Sequence, residues 1–304
     1  MTNKVSTQQW HRDEMVWWDK YGKHMSYQWC MTLELNNIVR SELDDCYTSF
    51  LFCNSGKILD LGCGSGWLSI RFHKLGMQVL GIDLSHEQVN QASKLIAHIK
   101  DNSINFISAN FVDWDATSYE QQFDSVFVNA FLHHLPEIEM SAVFQKIALI
   151  VKPGGRIFLY EPLTVKNNNP PILLRFFDIA INLSIKLLTS FIPKIFKLHN
   201  DQYKEAITIG YEMKSPHERP LPISLLKTLC ADEFDIIEIK GWHLYSLGFA
   251  MLTMNIKPNF RWLYTFITVI LYRIDRVFLH LWGWKTFVRP QRFILCSIQL
   301  LRKK

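Results

Sequence analysis

Short apolar runs alternate with longer stretches of mixed polarity across residues 57–161. The runs are continuous rather than alternating, as expected for parallel strands that are buried on both faces. They comprise residues 57–61, 78–83, 104–108, 125–130 and 156–161. Two intervening stretches, 86–101 and 137–152, carry apolar residues at helical spacing and are predicted as amphipathic helices. Pro153 and Gly154 fit the central positions of a type II turn before the fifth run.

This alternation predicts an α/β fold in which right-handed crossovers connect the strands of one sheet. Two further strands are predicted late in the chain, at 234–240 and 292–301. Residues 10–50 are rich in Trp and Tyr and are predicted as a helical lead-in. The predicted boundaries are a helical N-terminal cap (1–50), a core (51–162), a helical insertion (163–230), and the last two strands (231–304) with an apolar basic insertion at about 243–290.

A glycine-rich loop follows the first apolar run, with Gly62, Gly64 and Gly66 at every second position. A dinucleotide fingerprint requires its third glycine where Trp67 stands, and no Gly-Lys-Ser/Thr sequence of a triphosphate-binding loop follows. Asp60 lies just before the loop, where its charge would repel a pyrophosphate. A ligand with a cationic end, such as an amino-acid ammonium, would suit this loop better.

Asp83 ends the second run, 21 residues after Gly62, which is the usual place for a carboxylate that accepts both ribose hydroxyls. A ribose, an ammonium and no phosphate describe S-adenosylmethionine (SAM). The sequence resembles the class I SAM-dependent methyltransferases of the methyltransferase 11/ubiquinone-biosynthesis-like type. The resemblance rests on residues 59–66, 81–85, 123–135 and 149–162. It implies a Rossmann-like sheet of seven strands in the order 3-2-1-4-5-7-6, with the last strand antiparallel.

The resemblance also implies a set of cofactor-binding residues: Asp60, Gly62, Cys63, Gly64, Gly66, Asp83, Leu84, Asn110, Phe111, Asn129, Ala130 and Phe131. The family usually has Asp after the third strand, where this chain has Asn110, whose side-chain oxygen can still accept a bond from the adenine amino group. An ordinary tight turn is the alternative for the glycines. Packing at the strand end is the alternative for residues 129–131.

Two adjacent histidines, His133 and His134, follow the fourth strand and are the candidate catalytic residues. Histidine is a suitable base near neutral pH, and a hydroxyl acceptor needs a base for its proton. The alternative is that the pair packs against and caps the next helix. Further candidates are Tyr160, Glu161, His217 and Glu218. No carboxylate cluster follows the fourth strand, so we predict neither a metal site nor a metal-dependent mechanism.

Positive charge is concentrated in two apolar segments of a chain whose net charge is +5. Residues 163–200 hold five Lys/Arg and one Asp, and residues 257–304 hold ten Lys/Arg and one Asp. The remaining residues, with 18 basic and 26 acidic side chains, are acidic. This asymmetry favours contact with an anionic surface. Nucleic acid is not a predicted partner, because the basic residues lie on apolar helices rather than on polar arms.

Helical spacing places the polar residues of each segment in one narrow stripe. In the first segment they are Arg175, Asp178, Asn182, Lys186, Thr189 and Pro193; in the second they are Arg261, Thr265, Thr268, Tyr272 and Arg276. The longest uncharged run of the second segment covers eleven residues, 262–272, whereas about 20 are needed to span a bilayer. Basic helices rich in aromatic residues are typical of the membrane interface. We therefore expect a membrane-facing lid around a hydrophobic acceptor, and plain core packing or a dimer contact is the alternative.

The six cysteines are scattered and the N-terminus has no apolar signal core, so we predict a reducing, cytoplasmic location. The predicted function is a SAM-dependent methyltransferase at the inner face of the membrane, with a hydrophobic, lipid-like acceptor and O-methylation slightly favoured. One alternative is a soluble methyltransferase of natural products. Another is a non-catalytic SAM-binding protein attached to the membrane.

Overall fold

The computed structural model describes residues 6–21, 56–100, 102–165, 172–187, 194, 215–246, 249, 258–288 and 294–304. The strands are β1 (Lys57–Leu61), β2 (Gln78–Asp83), β3 (Ile104–Ser108), β4 (Phe123–Asn129), β5 (Val151–Thr164), β6 (Leu221–Pro222), β7 (Phe234–His243) and β8 (Ile294–Arg302). The α-helices are α1 (Thr7–Tyr21), α2 (Trp67–Lys74), α3 (His86–Ile96), α4 (Glu137–Ile150), α5 (Ile172–Lys186), α6 (Ile223–Cys230) and α7 (Pro258–Trp282).

The strands form one mixed sheet in the order β3-β2-β1-β4-β5-β8-β7. Strands β1 to β5 are parallel to one another, and β8 is antiparallel to both β5 and β7. The two-residue strand β6 pairs with the end of β5. With β7 and β8 as the sixth and seventh strands, the predicted order 3-2-1-4-5-7-6 is confirmed. The carboxyl ends of β1, β2 and β4 therefore meet at one edge, where α/β sheets bind ligands.

Apolar residues on both faces of the sheet form two core clusters. Phe127 of β4 and Phe158 of β5 lie on one face, and their rings stack with centroids 4.9 Å apart. Val126 and Ile157 lie in the cluster on the opposite face. Burial on both faces explains why these strands are continuous apolar runs in the sequence.

Strand β5 starts earlier than predicted, at Val151 rather than at residue 156. Val151 pairs with Phe123 of β4, and this pairing ends α4 two residues before its predicted end. The next registered pair in β5 and β4 is Arg156 with Ser125, so the predicted turn forms a bulge within the strand. Gly154 has φ +75°, which fits its predicted place in that turn.

Helix α1 lies against the start of α3. The Asp19 carboxylate accepts hydrogen bonds from the Ser85 hydroxyl (2.6 Å) and from the Glu87 N–H (3.1 Å). A carboxylate at a helix N-terminus is stabilised by the N–H groups and the helix dipole there. Residues 1–5 and 22–50 of the predicted N-terminal cap lie outside the described residues, as do Thr189 and Pro193. The predicted domain boundaries stay predictions.

Candidate active site

The glycine loop between β1 and α2 has left-handed backbone at Gly62, Gly64 and Gly66, with φ of 75°, 53° and 78°. A Cβ at Gly62 would stand 2.9 Å from the Phe131 Cβ, and one at Gly66 would stand 2.6 Å from Phe106. At Gly64 the nearest atom would be 3.5 Å away, so this glycine is required for its backbone conformation rather than for space. The loop thus packs tightly against the strand ends on both sides of Gly64.

The N–H groups of this loop are used within the protein. Gly62 and Cys63 donate to the carbonyl oxygen of Ile82, at 2.8 and 3.2 Å. Gly64 donates to Asp83 Oδ2 at 2.8 Å. A phosphate-binding loop presents such N–H groups to its ligand. These three amides have no N–H left for a phosphate, in agreement with the sequence argument against a dinucleotide or nucleoside triphosphate.

Two carboxylates, Asp60 and Asp83, lie at the base of the loop. Asp60 is 1% exposed, and its Oδ2 accepts a 2.5 Å bond from the Ser69 hydroxyl. Its other oxygen, Oδ1, is buried and has no hydrogen-bond partner within the described part of the chain. Burial, together with a smaller effect of the nearby Asp83 charge, raises the pKa of Asp60 to about 7, against the lowering effect of the Ser69 hydrogen bond. A cationic ligand would relieve this accumulation of negative charge.

A cavity opens above the loop and contains most of the predicted cofactor-binding residues. Its wall includes Gly62, Cys63, Gly64, Asp83, Leu84, Asn129, Ala130, Phe131 and His134. Asp60, Gly66, Asn110, Phe111 and His133 belong to the predicted set but lie outside that wall. For Asp60 and Gly66 the reason is burial behind the loop. The binding roles of all these residues stay predictions.

Asn110 and Phe111 have local structural partners instead. The Asn110 side chain accepts a 3.1 Å bond from the Val112 N–H and donates a 2.7 Å bond to Asp113. This turn uses the same side-chain oxygen that is predicted to accept a bond from adenine. Phe111 is buried in the core and stacks on Trp114, with ring centroids 5.7 Å apart.

The two adjacent histidines have different environments. His133 is buried, and its Nδ1 lies 2.7 Å from Glu161 Oε2. The other oxygen of Glu161 accepts the N–H groups of Phe131 and Leu132, at 2.8 and 2.7 Å. The Glu161 carboxylate therefore fixes the loop after β4, and His133 is one of its anchors. This geometry favours the packing alternative for His133.

His134 faces the cavity. Its Nδ1 lies 2.8 Å from Ser215 Oγ and 3.2 Å from Glu14 Oε2. The ring also meets the edge of Trp18, with centroids 5.5 Å apart. Burial alone would raise the pKa of Glu14, but His134 and the hydrogen bonds from His217 and Ser215 outweigh it and lower that pKa.

Helix α1 supplies three cavity residues that the sequence argument missed: His11, Glu14 and Trp18. Their spacing of three and four residues places them on one helix face, and this spacing was a signal that the sequence contained. Trp10 secures the helix, because its indole N–H donates to the His134 carbonyl at 2.7 Å. The ring of Trp10 also stacks on His217 at 4.0 Å, so this predicted candidate contacts α1 outside the cavity wall.

Residues 58–155 match a family model described as a methyltransferase domain. The matched segment contains the glycine loop, Asp83 and the loop that carries both histidines. The chain carries a class I SAM-dependent methyltransferase domain. The predicted family and the Rossmann-like fold are thereby confirmed.

The methyltransferase domain has curated relatives whose names specify a reaction. The chain is 30% identical over 142 residues to the ubiquinone biosynthesis O-methyltransferase of Proteus mirabilis, covering 47% of this chain and 53% of that protein. It is 33% identical over 143 residues to the enzyme of the same name from Shewanella halifaxensis, covering 47% and 56%. The matched region thus spans about half the length of each of these relatives.

Solved structures support the fold across more of the chain. Haemonchus contortus phosphoethanolamine N-methyltransferase 2, solved with phosphomonomethylethanolamine and S-adenosylhomocysteine, aligns with a TM-score of 0.58 at 14% identity, covering 100% of this chain and 61% of that one. The [4+2]-cyclase SpnF aligns with a TM-score of 0.51 at 16% identity, covering 86% and 80%. At such identities the likeness concerns the fold alone. SpnF is named as a [4+2]-cyclase, so this fold does not by itself specify methyl transfer.

Proposed function

We propose that the whole chain is a SAM-dependent methyltransferase that methylates a hydrophobic, lipid-like acceptor at a membrane surface, with a hydroxyl oxygen as the favoured target. The observation that carries this proposal is one cavity that joins the glycine loop and Asp83 to His134. The names of the curated relatives support oxygen as the methylated atom and a lipid-like acceptor. The enzyme would act on the cytoplasmic face of the membrane.

The residues around the cavity fit SAM as the cofactor. Asp83 would accept the ribose hydroxyls, since each carboxylate oxygen can accept a bond besides the one from the backbone. The buried, unpartnered oxygen of Asp60 and the absence of available N–H groups at Gly62, Cys63 and Gly64 suit a cationic amino-acid end. When bound, SAM supplies an electrophilic methyl group that needs no further activation.

The chain's own contribution to the chemistry is to hold the acceptor oxygen in line with that methyl group, to exclude water and to remove a proton. Of the two adjacent histidines, His134 is the one that lines the cavity, and it is the proposed base. Trp18 and Glu14 of α1 line the cavity and would shield it from water.

Helix α7 presents its apolar side to solvent, and this carries the membrane part of the proposal. Thr268 is 3% exposed and Asp275 is fully buried, so these two polar residues face the protein. Asp275 accepts N–H groups of residues 244–246 at about 3.0 Å. The exposed apolar residues are Phe260, Trp262, Leu263, Phe266, Val269, Ile270, Val277, Leu281 and Trp282. An ordinary surface helix has the opposite arrangement.

Helix α5 extends this apolar surface. Its Phe177 ring meets the Phe278 ring of α7 edge to face, with centroids 6.4 Å apart. The exposed apolar residues on and directly after α5 are Ile172, Phe176, Phe177, Ile179, Leu183 and Leu187. None of the helices in the described residues combines the length and the apolarity required to cross a bilayer.

Positive charge on the same helices favours an anionic bilayer as the partner of this surface. Arg175 and Lys186 of α5 and Arg273 of α7 are exposed. Arg276 is not available to lipid, because its guanidinium donates to the Gly241 carbonyl and lies 4.5 Å from the Trp242 ring. Apolar insertion combined with attraction of Lys and Arg to anionic headgroups is the binding mode of interfacial helices.

Feeding cells labelled methionine, with and without the gene, tests the function. We expect a labelled lipid in the organic extract of cells that carry the gene, and none in cells that carry the Asp83→Ala variant. Label that appears only in a water-soluble product would favour a soluble methyltransferase of small molecules. A folded protein that binds SAM but labels nothing in either fraction would favour a non-catalytic SAM-binding protein.

A further inference from the structure

Glu14 is a carboxylate of the N-terminal helix that is enclosed beside the proposed base. It is 3% exposed. Its Oε1 accepts hydrogen bonds from the Ser215 hydroxyl (3.1 Å) and from the His217 N–H (3.0 Å). These two bonds come from a loop far along the chain, and they fix the plane of the carboxylate. The other oxygen, Oε2, lies 3.2 Å from His134 Nδ1.

The hydrogen-bond arrangement determines which nitrogen of His134 carries the proton. A serine hydroxyl has one hydrogen, and that of Ser215 is donated to Glu14. Towards His134 Nδ1, at 2.8 Å, Ser215 Oγ can therefore act only as an acceptor. The second neighbour of Nδ1, Glu14 Oε2, is also an acceptor. Nδ1 consequently carries the hydrogen, and the Nε2 of the neutral ring carries the lone pair.

We infer that Glu14 is a positioning residue that holds His134 in the Nδ1–H tautomer, so that Nε2 can take the proton of an acceptor hydroxyl. The acceptor oxygen gives its proton to Nε2 and forms a bond to the methyl carbon, while the bonding pair of that carbon stays on sulfur. The resulting imidazolium faces the Glu14 carboxylate. This inference rests on the proposed function, because it takes His134 as the base of the methyl transfer.

The role of α1 follows from the same contacts. Glu14 reaches His134 only when α1 lies on the core, and α1 is secured there by the bond from the Trp10 indole to the His134 carbonyl. The helix would thus bring the positioning carboxylate to the base and shield the cavity at the same time. The histidine lies on the core and its carboxylate partner lies on α1. His134 is therefore a competent base only while α1 is docked on the core.

The test is the tautomer of His134 in the full-length protein, measured by long-range ¹H–¹⁵N NMR on protein labelled at histidine nitrogens, at a pH where the ring is neutral. His134→Ala assigns the signals. We expect Nδ1–H in the natural protein and a gain of Nε2–H in Glu14→Gln, because an amide can also donate to Nδ1. Asp13→Asn is the matched control, since Asp13 lies on the same helix as Glu14 but outside the cavity wall. Its Oδ2 lies 3.2 Å from His217 Nε2.

A second experiment measures turnover, with labelled SAM and an alkylphenol probe in phosphatidylglycerol vesicles. Glu14→Gln should lower kcat on the order of 100-fold, the lower end of what general-base catalysis contributes, and leave the SAM affinity unchanged. An Nε2–H tautomer in the natural protein would overturn the inference, even if Glu14→Gln does not fold. So would an unchanged tautomer in folded Glu14→Gln. Full turnover by His134→Ala would instead reject His134 as the proposed base. The tautomer measurement needs no turnover, so a failure of the proposed base can be told apart from a failure of the inference about Glu14.

Discussion

Gly64 and Asp83 are joined by a 2.8 Å hydrogen bond from the glycine N–H to Asp83 Oδ2. The other oxygen of Asp83 accepts the Ser85 N–H at 2.8 Å. The carboxylate proposed for the ribose therefore also holds the glycine loop and the start of α3 together. Loss of Asp83 should affect the shape of the cavity as well as the contact with the cofactor.

Asp83→Ala should weaken SAM binding at least about tenfold, because a charge-assisted hydrogen bond contributes about 1.5–3 kcal/mol. Calorimetric titration of the folded variant measures the loss. Asp83→Asn should retain the acceptor for the Gly64 N–H and lose less. Unchanged affinity in Asp83→Ala would remove this residue from the cofactor site.

The glycines of the loop should differ in their tolerance. Gly62→Ala should reduce both stability and SAM binding, because its Cβ would stand 2.9 Å from Phe131 in a left-handed backbone. Gly64→Ala meets only the backbone penalty, about 1–2 kcal/mol, since no atom lies closer than 3.5 Å to its Cβ. Thermal unfolding and calorimetry should therefore rank Gly62→Ala as the more damaging change. Equal effects would contradict the packing argument.

The sheet could be predicted from the sequence because burial on both faces leaves continuous apolar runs. The loop could be predicted because the glycines with left-handed backbone recur at every second position. The local turn that uses the Asn110 side-chain oxygen could not be read from the sequence, and the role of Asn110 in binding adenine stays a prediction. The different environments of His133 and His134 depend on Glu161 and on Glu14, which are 28 and 120 residues away in the sequence. Contacts of that range leave no local pattern. The helical spacing of His11, Glu14 and Trp18 predicts that they share a face of α1, but not what that face contacts.

Asp60 should make SAM binding depend on pH. Its pKa is raised to about 7, so it is partly protonated near neutral pH in the free protein. A bound ammonium favours the carboxylate and lowers that pKa, so binding should release protons and strengthen as pH rises through 7. Calorimetry in two buffers with different ionisation enthalpies counts the protons released.

Asp60→Asn should abolish that proton release, whereas Asp124→Asn should preserve it, because Asp124 is partly exposed and pairs with Lys152 away from the cavity. Proton uptake instead of release in the natural protein would show that Asp60 does not face a cationic group.

Alanine substitutions of His133 and His134 should have different effects on stability and turnover. His133→Ala should lower the free energy of unfolding by about 1–3 kcal/mol, because it leaves one oxygen of the buried Glu161 carboxylate without its hydrogen-bond partner. His134→Ala should cost less stability and should abolish turnover with SAM affinity intact. Denaturant unfolding and calorimetry on both variants check this. A larger stability loss in His134→Ala than in His133→Ala would reverse the assignment of the two roles.

The exposed apolar surface of α5 and α7 should bind anionic vesicles. Replacing Trp262 and Phe266 with Ser should weaken binding to anionic and neutral vesicles alike, by about tenfold or more, because both side chains are exposed and would insert. Arg273→Gln should weaken binding to anionic vesicles by about fivefold, the equivalent of about 1 kcal/mol, and binding to neutral vesicles little. Raised salt should reproduce the effect of Arg273→Gln, because ions screen the attraction. Vesicle flotation measures all three.

Matched controls distinguish insertion from a general change in surface polarity. Ile138→Ser removes an exposed apolar side chain on α4, and Lys94→Gln removes an exposed charge on α3. Neither should change flotation. If the surface is a dimer contact instead, the natural protein should sediment as a dimer, and the Trp262 and Phe266 variant should sediment as a monomer. Absence of flotation at low salt in the natural protein would reject the membrane proposal, because the electrostatic attraction is least screened under that condition.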